Sequence, residues 1–199
     1  MRFLCYDTET SGLVHDRLPI EHPSQPNLVQ LAMLLLDEDA RELAAVSVII
    51  KPNGWVIPDQ AANVHGITTE LANAVGVPHV LAVAMFTNLR SLADYTVAHN
   101  RAFDERVMAT AIHRTGKTPA HPGPAQHFCT KDLATLVLNL PPTAKMKAAG
   151  FNKPKPPTLG ECYLHLFGET LEGAHSAMVD TRACARVFFR LRKDAQVIP

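Results

Sequence analysis

Side chains alternate along residues 2–7, with Phe3, Cys5 and Asp7 on one side and Leu4 and Tyr6 on the other. The pattern predicts a strand, and it puts Glu9 on the side of Asp7 and Thr8 opposite. Residues 11–27 hold Gly12, Pro19, Pro23 and Pro26 and predict a long loop. Leu28–Asp37 is a continuous apolar run that suits a buried strand; residues 41–51 read as its hairpin partner, turning through 37–40 and ending at Pro52-Asn53-Gly54. Helix starts at Thr68-Thr69-Glu70 and Pro78 predict helices from Thr69 and over 78–92. Short strands over 95–99 and 127–130 alternate with helices over 103–115 and 132–140, and helices over 159–167 and 177–193 close the chain. Three leading strands followed by alternating strand and helix predict an α/β fold. Its five-stranded mixed sheet has the first three strands antiparallel, the later two parallel to the first, and helices flanking it.

The last helix carries a chemical signal. Asp180, Cys184, Val187, Phe188 and Leu191 form one stripe at helical spacing, and Arg182, Arg186, Arg190 and Lys193 lie opposite, as a solvated basic face. Asp180 therefore belongs to the apolar side, where an unpaired carboxylate is expensive. It needs an arginine from elsewhere or a metal ion, and the arginines of its own helix point away. Asp7 and Glu9 raise the same problem, because two acids on one side of a buried strand end repel unless a cation lies between them. Asp104 stands near a helix start, where the dipole alone favours it, and also at the end of a strand next to that of Asp7, where ligands gather in open α/β sheets. His175 precedes Asp180 by five residues on a loop, poised to take a proton from water. These carboxylates and the histidine match two-metal phosphodiester cleavage. One cation near Asp7 and Asp180 activates water, and a second, shared by Asp7, Glu9 and Asp104, stabilises the leaving 3′-oxygen. The all-oxygen shell suits Mg²⁺ or Mn²⁺.

Composition narrows this reading. The 199 residues, 47% of them hydrophobic, fit a single domain over 1–199 with a sizeable core. No apolar run is long enough for a membrane span and no signal-peptide layout opens the chain, so a cytoplasmic location, of the cell or of a virus-infected host, is expected. Cys5, Cys129, Cys162 and Cys184 form no CxxC pair and read as reduced core thiols. A zinc site built on His121, His127 and Cys129 is the alternative, with non-standard spacing. Net charge is zero, so the overall basic balance of many nucleic-acid binders is missing. The exception is residues 141–157, rich in proline and carrying Lys145, Lys147, Lys153 and Lys155. They are expected as a mobile basic loop, either a solvated linker or a flap on a nucleic-acid backbone.

Together these residues resemble the DEDDh group of 3′-to-5′ exonucleases, DnaQ-like enzymes of RNase H-like fold that include the proofreading subunit of bacterial replicative polymerases. Residues 7–13 (DTETSGL) resemble the first motif, 99–104 (HNRAFD) the second, and His175 with Asp180 the third; 64–68 (VHGIT) resembles a further segment of proofreading-type members. The resemblance implies metal binding by Asp7, Glu9, Asp104 and Asp180, and a general-base role for His175. It implies terminal-nucleotide contacts by Thr8, Thr10, Gly12, Leu13, His65 and Phe103, with the amides near Thr8 at the 3′ end, Leu13 as a wedge, and Phe103 near the base or simply in the core. His99 and Asn100 would be supports. The expected activity is release of nucleoside monophosphates from single-stranded 3′ ends, DNA preferred. The alternatives are RNA or short oligoribonucleotides, or a catalytically silent nucleic-acid-binding module. A polymerase or repair partner fits the resemblance, although the chain ends too soon after its last helix for the proofreading subunit's docking tail.

Overall fold

The computed structural model describes residues 1–116 and 126–195. Its sheet holds β1 (Arg2–Thr10), β2 (Leu28–Asp37), β3 (Glu42–Ile49), β4 (Tyr95–Ala98) and β5 (Gln126–Cys129) in the order β3-β2-β1-β4-β5. β1 and β3 run antiparallel to β2, while β4 is parallel to β1 and β5 to β4. This is the expected α/β architecture of the RNase H-like fold. The helices are α1 (Asp59–His65), α2 (Thr69–Val75), α3 (His79–Leu92), α4 (Arg101–Arg114), α5 (Thr130–Leu138), α6 (Ala144–Ala148), α7 (Leu159–Phe167) and α8 (Ala177–Ala195). Among the described residues no helix is long and apolar enough to cross a membrane.

The alternation in β1 divides the core. Leu4 and Tyr6 pack with Phe86 of α3 and with Val107 and Met108 of α4. Phe3 and Cys5 pack with Cys184 and Phe188 of α8. With helices on both faces and a strand on each edge, β1 is the middle strand of the sheet, and its acids, Asp7 and Glu9, are its only partly buried residues.

Several elements depart from expectation for local reasons. β1 continues to Thr10 because its ladder with β2 does, with a register shift after Glu9: Glu9 faces Gln30 and Thr10 faces Leu28, leaving Val29 as an extra residue. α1 was not expected; it buries no residue fully, so no apolar period marks it, and Gly66 ends it in the left-handed region at φ 75°. The basic segment is not an irregular loop throughout. The Thr143 hydroxyl caps α6 by accepting from the Met146 amide, and the Lys155 amide donates to the Leu140 carbonyl at 2.9 Å, closing the excursion at its neck. The arginines of α8 are not simply solvated either. Arg182 pairs with Glu42 at 3.0 Å, Arg186 pairs with Glu169 at 2.7 Å and lies over the Phe167 ring, and Arg190 pairs with Asp194.

The long loop at 11–27 is held by side chains. Buried Gln25 accepts from the His15 amide and donates to the carbonyls of His15, Leu18 and Pro19. From α4, Arg106 donates to the carbonyls of His15 and Leu18, and Arg114 to those of Gln25 and Pro26. The loop is thereby tied to the helix that carries Asp104.

Candidate active site

Asp7 and Glu9 leave β1 on the α8 side, and Asp180 enters from the first turn of α8. One carboxylate oxygen from each lies within 4.8 Å of the others, and all three residues are partly buried. Asp104, in the first turn of α4, sits beside this trio rather than in it. Its Oδ1 accepts from the Thr8 amide at 3.0 Å and from the Thr8 hydroxyl at 2.7 Å. Thr8 lies between Asp7 and Glu9, so those bonds fix Asp104 against the same strand end. They also commit the Thr8 amide, among those expected at the 3′ end of a substrate, and the Thr8 hydroxyl to holding a carboxylate.

Electrostatics bind the four acids into one unit. Burial, and then the charges of Asp104, Asp180 and Glu9, hold the Asp7 carboxyl well above the usual range. Glu9 is pushed up to about 8 by burial, then by Asp180 and Asp104. Burial raises Asp104 to about 7 against the pull of its Thr8 bonds. Asp180 is raised by burial, with the amide and imidazole of His175 opposing. Among the described residues no lysine or arginine pairs with any of them. Asp180 Oδ1 is buried without a hydrogen-bond partner. Mutually repelling oxygens, one of them orphaned, are a donor set that fits a hard divalent cation.

His175 takes the left-handed conformation, φ 68°, and its amide donates to Asp180 Oδ2 at 3.0 Å, so its backbone is locked to a carboxylate while its side chain is exposed. The ring is not one of the clustered ligands. At the end of β1, the Thr10 hydroxyl donates to the Gly12 carbonyl at 2.6 Å. The next residue, Leu13, is 82% exposed, an apolar side chain left in solvent four positions after Glu9. His65 Nδ1 accepts from the Ile67 amide at 3.1 Å. Burial lowers the ring's pKa, and the Thr10 backbone opposes that shift, so His65 adjoins the first motif across a gap of 55 positions (65 − 10). Phe103 is half-buried and packs against the core cluster of Leu4 and Tyr6.

His99 and Asn100 are supports in this geometry. His99 Nδ1 meets the Thr130 hydroxyl at 2.9 Å, and its pKa falls to about 4 through burial and the nearby Lys131, so the ring is neutral. Asn100 adopts φ 63° ahead of α4 and accepts from Lys131 Nζ. The zinc alternative finds no support among the described residues. His127 Nδ1 bonds the Thr96 hydroxyl at 2.6 Å, Cys129 is a half-buried free thiol, and neither joins a metal-holding group; His121 lies outside the described residues. The other cysteines, Cys5, Cys162 and Cys184, are buried free thiols, as expected of core residues.

Against known proteins, the exonuclease (RNase_T) family model matches residues 4–188. The chain belongs to the DnaQ-like 3′-to-5′ exonuclease family. It is an exonuclease, a phosphodiester hydrolase; its family requires divalent metal ions, and a cluster of carboxylates close enough to share one is present in Asp7, Glu9 and Asp180. Ribonuclease T of Actinobacillus pleuropneumoniae serotype 5b is 27% identical over 188 residues, covering 80% of this chain and 78% of that one. E. coli exonuclease I in complex with a dT13 oligonucleotide has a TM-score of 0.76 at 20% identity, over 98% of this chain and 41% of that one. Exonuclease I from Methylocaldum szegediense gives a TM-score of 0.76 at 20% identity over the same shares. The exonuclease chain thus spans about 41% of the length of these two structures, and at this identity they establish the fold.

The sequence did not reveal the supports. Gln25, Arg106 and Arg114 fix the motif loop, and Thr8 fixes Asp104, yet none lies in a periodic pattern that would single it out. The available signal was the place of one of them, Gln25, between Pro23 and Pro26.

Proposed function

We propose that residues 1–199 form one exonuclease domain that removes nucleoside 5′-monophosphates from single-stranded 3′ ends. In this reading Asp7, Glu9, Asp104 and Asp180 hold two cations, Mg²⁺ or Mn²⁺, and His175 is the general base. The observation that carries it is the convergence of Asp7, Glu9 and Asp180 oxygens within 4.8 Å, from strand and helix segments far apart in sequence.

When bound, the cations lower the pKa of the attacking water and neutralise charge on the leaving 3′-oxygen. The chain's own residues do the rest. His175 accepts the proton as the water oxygen bonds to phosphorus and the P–O3′ bond breaks, and the leaving oxygen takes up a proton from solvent. The His175 amide bond to Asp180 keeps that base beside its neighbouring carboxylate. Thr8 holds Asp104 in place from the strand that bears Asp7 and Glu9. Leu13 wedges against the last base, Thr10 and Gly12 shape the turn beneath it, and His65 and Phe103 border the terminal nucleotide. Apolar contacts of this kind tolerate any base.

DNA stands first because residues 64–68 resemble the proofreading-type members, and exonuclease I relatives are described with dT13 and dA16 oligonucleotides. RNA is the second reading, favoured by the ribonuclease T relative. The test digests matched single- and double-stranded DNA and RNA oligonucleotides, 5′-labelled, with Mg²⁺ or Mn²⁺. Stepwise shortening from the 3′ end is expected, abolished by EDTA and by Asp7→Ala, and strongly reduced in His175→Ala. Equal digestion by parent and both variants overturns the mechanism, and no digestion of any substrate favours a silent binding module.

A further inference from the structure

Residues 139–158 hold four lysines and no acid, in a chain whose net charge is zero. Lys155 is partly buried and pairs with Glu161, whereas Lys145, Lys147 and Lys153 are exposed and, among the described residues, unpaired. Beside them Phe151 is 63% exposed. Its placement is defined: its amide donates to the Met146 carbonyl at 2.8 Å, and Gly150 before it turns in the left-handed region at φ 78°, so the ring is held off the end of α6. The excursion is rooted at the catalytic end of the sheet. Pro157 is buried, and its backbone reaches His99, the residue that leads through Asn100 into α4 and Asp104. A fixed, solvated aromatic ring among free lysines combines the two elements that grip an unpaired strand: a stacking surface and phosphate-neutralising charge.

We propose that Phe151, with Lys145, Lys147 and Lys153, forms a second nucleic-acid contact outside the acidic cleft, stacking a base of the strand upstream of the terminal nucleotide. It rests on the exonuclease reading above and adds to it a preference for strands long enough to reach both places. An acidic protein partner would use the same charge but gains nothing from a ring that single bases can stack on.

The test compares a 3-nucleotide and a 15-nucleotide single strand as substrates for the parent, Phe151→Ala, and the triple Lys145→Gln/Lys147→Gln/Lys153→Gln. Phe151→Ala should raise KM for the 15-mer on the order of ten-fold, leave kcat unchanged, and leave the 3-mer unaffected. Its melting temperature should match the parent's, since the ring is exposed. Phe151→Trp should restore KM and show fluorescence quenched by the 15-mer in EDTA, beyond any change from Trp55 in the parent. An unchanged KM for Phe151→Ala, or an unquenched tryptophan, overturns the proposal. If no variant and no parent cleaves either strand, the exonuclease reading fails on its own, and the quenching measurement still decides whether the ring meets a strand.

Discussion

The acidic end of β1 and the basic excursion at 139–158 carry unpaired charge of opposite sign in opposite surroundings. Asp7, Glu9, Asp104 and Asp180 are crowded into a partly buried cleft, and every one has its pKa raised. Lys145, Lys147 and Lys153 stand in solvent. The first region is maintained against its own repulsion by the packing of β1, α4 and α8; the second costs the fold little. A net charge of zero conceals both, so overall charge is a poor guide to nucleic-acid chemistry when a cation-binding site balances the ledger.

The sharpest way to break this contrast is Asp7→Asn. Activity should fall by about 10³-fold or more, because several kcal/mol of charge stabilisation depends on the site. The metal-free melting temperature should hold or rise, because one repelling acid is gone. A destabilised variant would mean Asp7 is a structural residue. His175→Ala comes next, with a loss in kcat of about 10²–10⁴-fold. At saturating metal the parent's rate should decline on the acid side, and the variant should lack that decline. A shared profile removes His175 from proton transfer.

The acids should also leave a mark on stability. The folded chain holds protons on Glu9, up to about 8, and on Asp104, up to about 7, which the unfolded chain releases near pH 4. Folded protein then binds more protons than unfolded, so metal-free stability falls as pH rises through that window. His99, with its lowered pKa, acts in the opposite sense only below its unfolded value near 6.5. Thermal melts in EDTA from about pH 6.5 to 8.5 should therefore drift downward, and Mn²⁺ should restore more stability at the alkaline end. A level metal-free profile would show the carboxylates to be less strained than their burial implies. The smallest effect belongs to the basic region. In the triple glutamine variant the slope of log affinity against log salt should flatten by up to about 2, at about 0.7 per phosphate contact. An unchanged slope leaves those lysines solvated.

How far the fold could be read depended on what each segment buries. Leu28–Asp37 and Leu159–Phe167 appear with the expected bounds, one a continuous apolar run and the other opened by a Thr158–Glu161 capping box. α1 and α6 bury nothing fully, so burial left no pattern to find. The same rule governs the site. Asp180 could be placed inward from the stripe it shares with Cys184 and Phe188, and Asp7 with Glu9 from strand alternation. The Thr8–Asp104 bonds span 96 positions and the Arg182–Glu42 pair spans 140, and no local period encodes either.

The ties from Gln25, Arg106 and Arg114 to the 11–27 loop carry one more consequence. Leu13 projects from a segment lashed to the helix that bears Asp104, so in the proposed reading the wedge and the carboxylate share one anchorage. On that reading an incoming strand end meets a mould already set, and its binding energy goes into alignment at the scissile phosphate rather than into ordering a floppy rim.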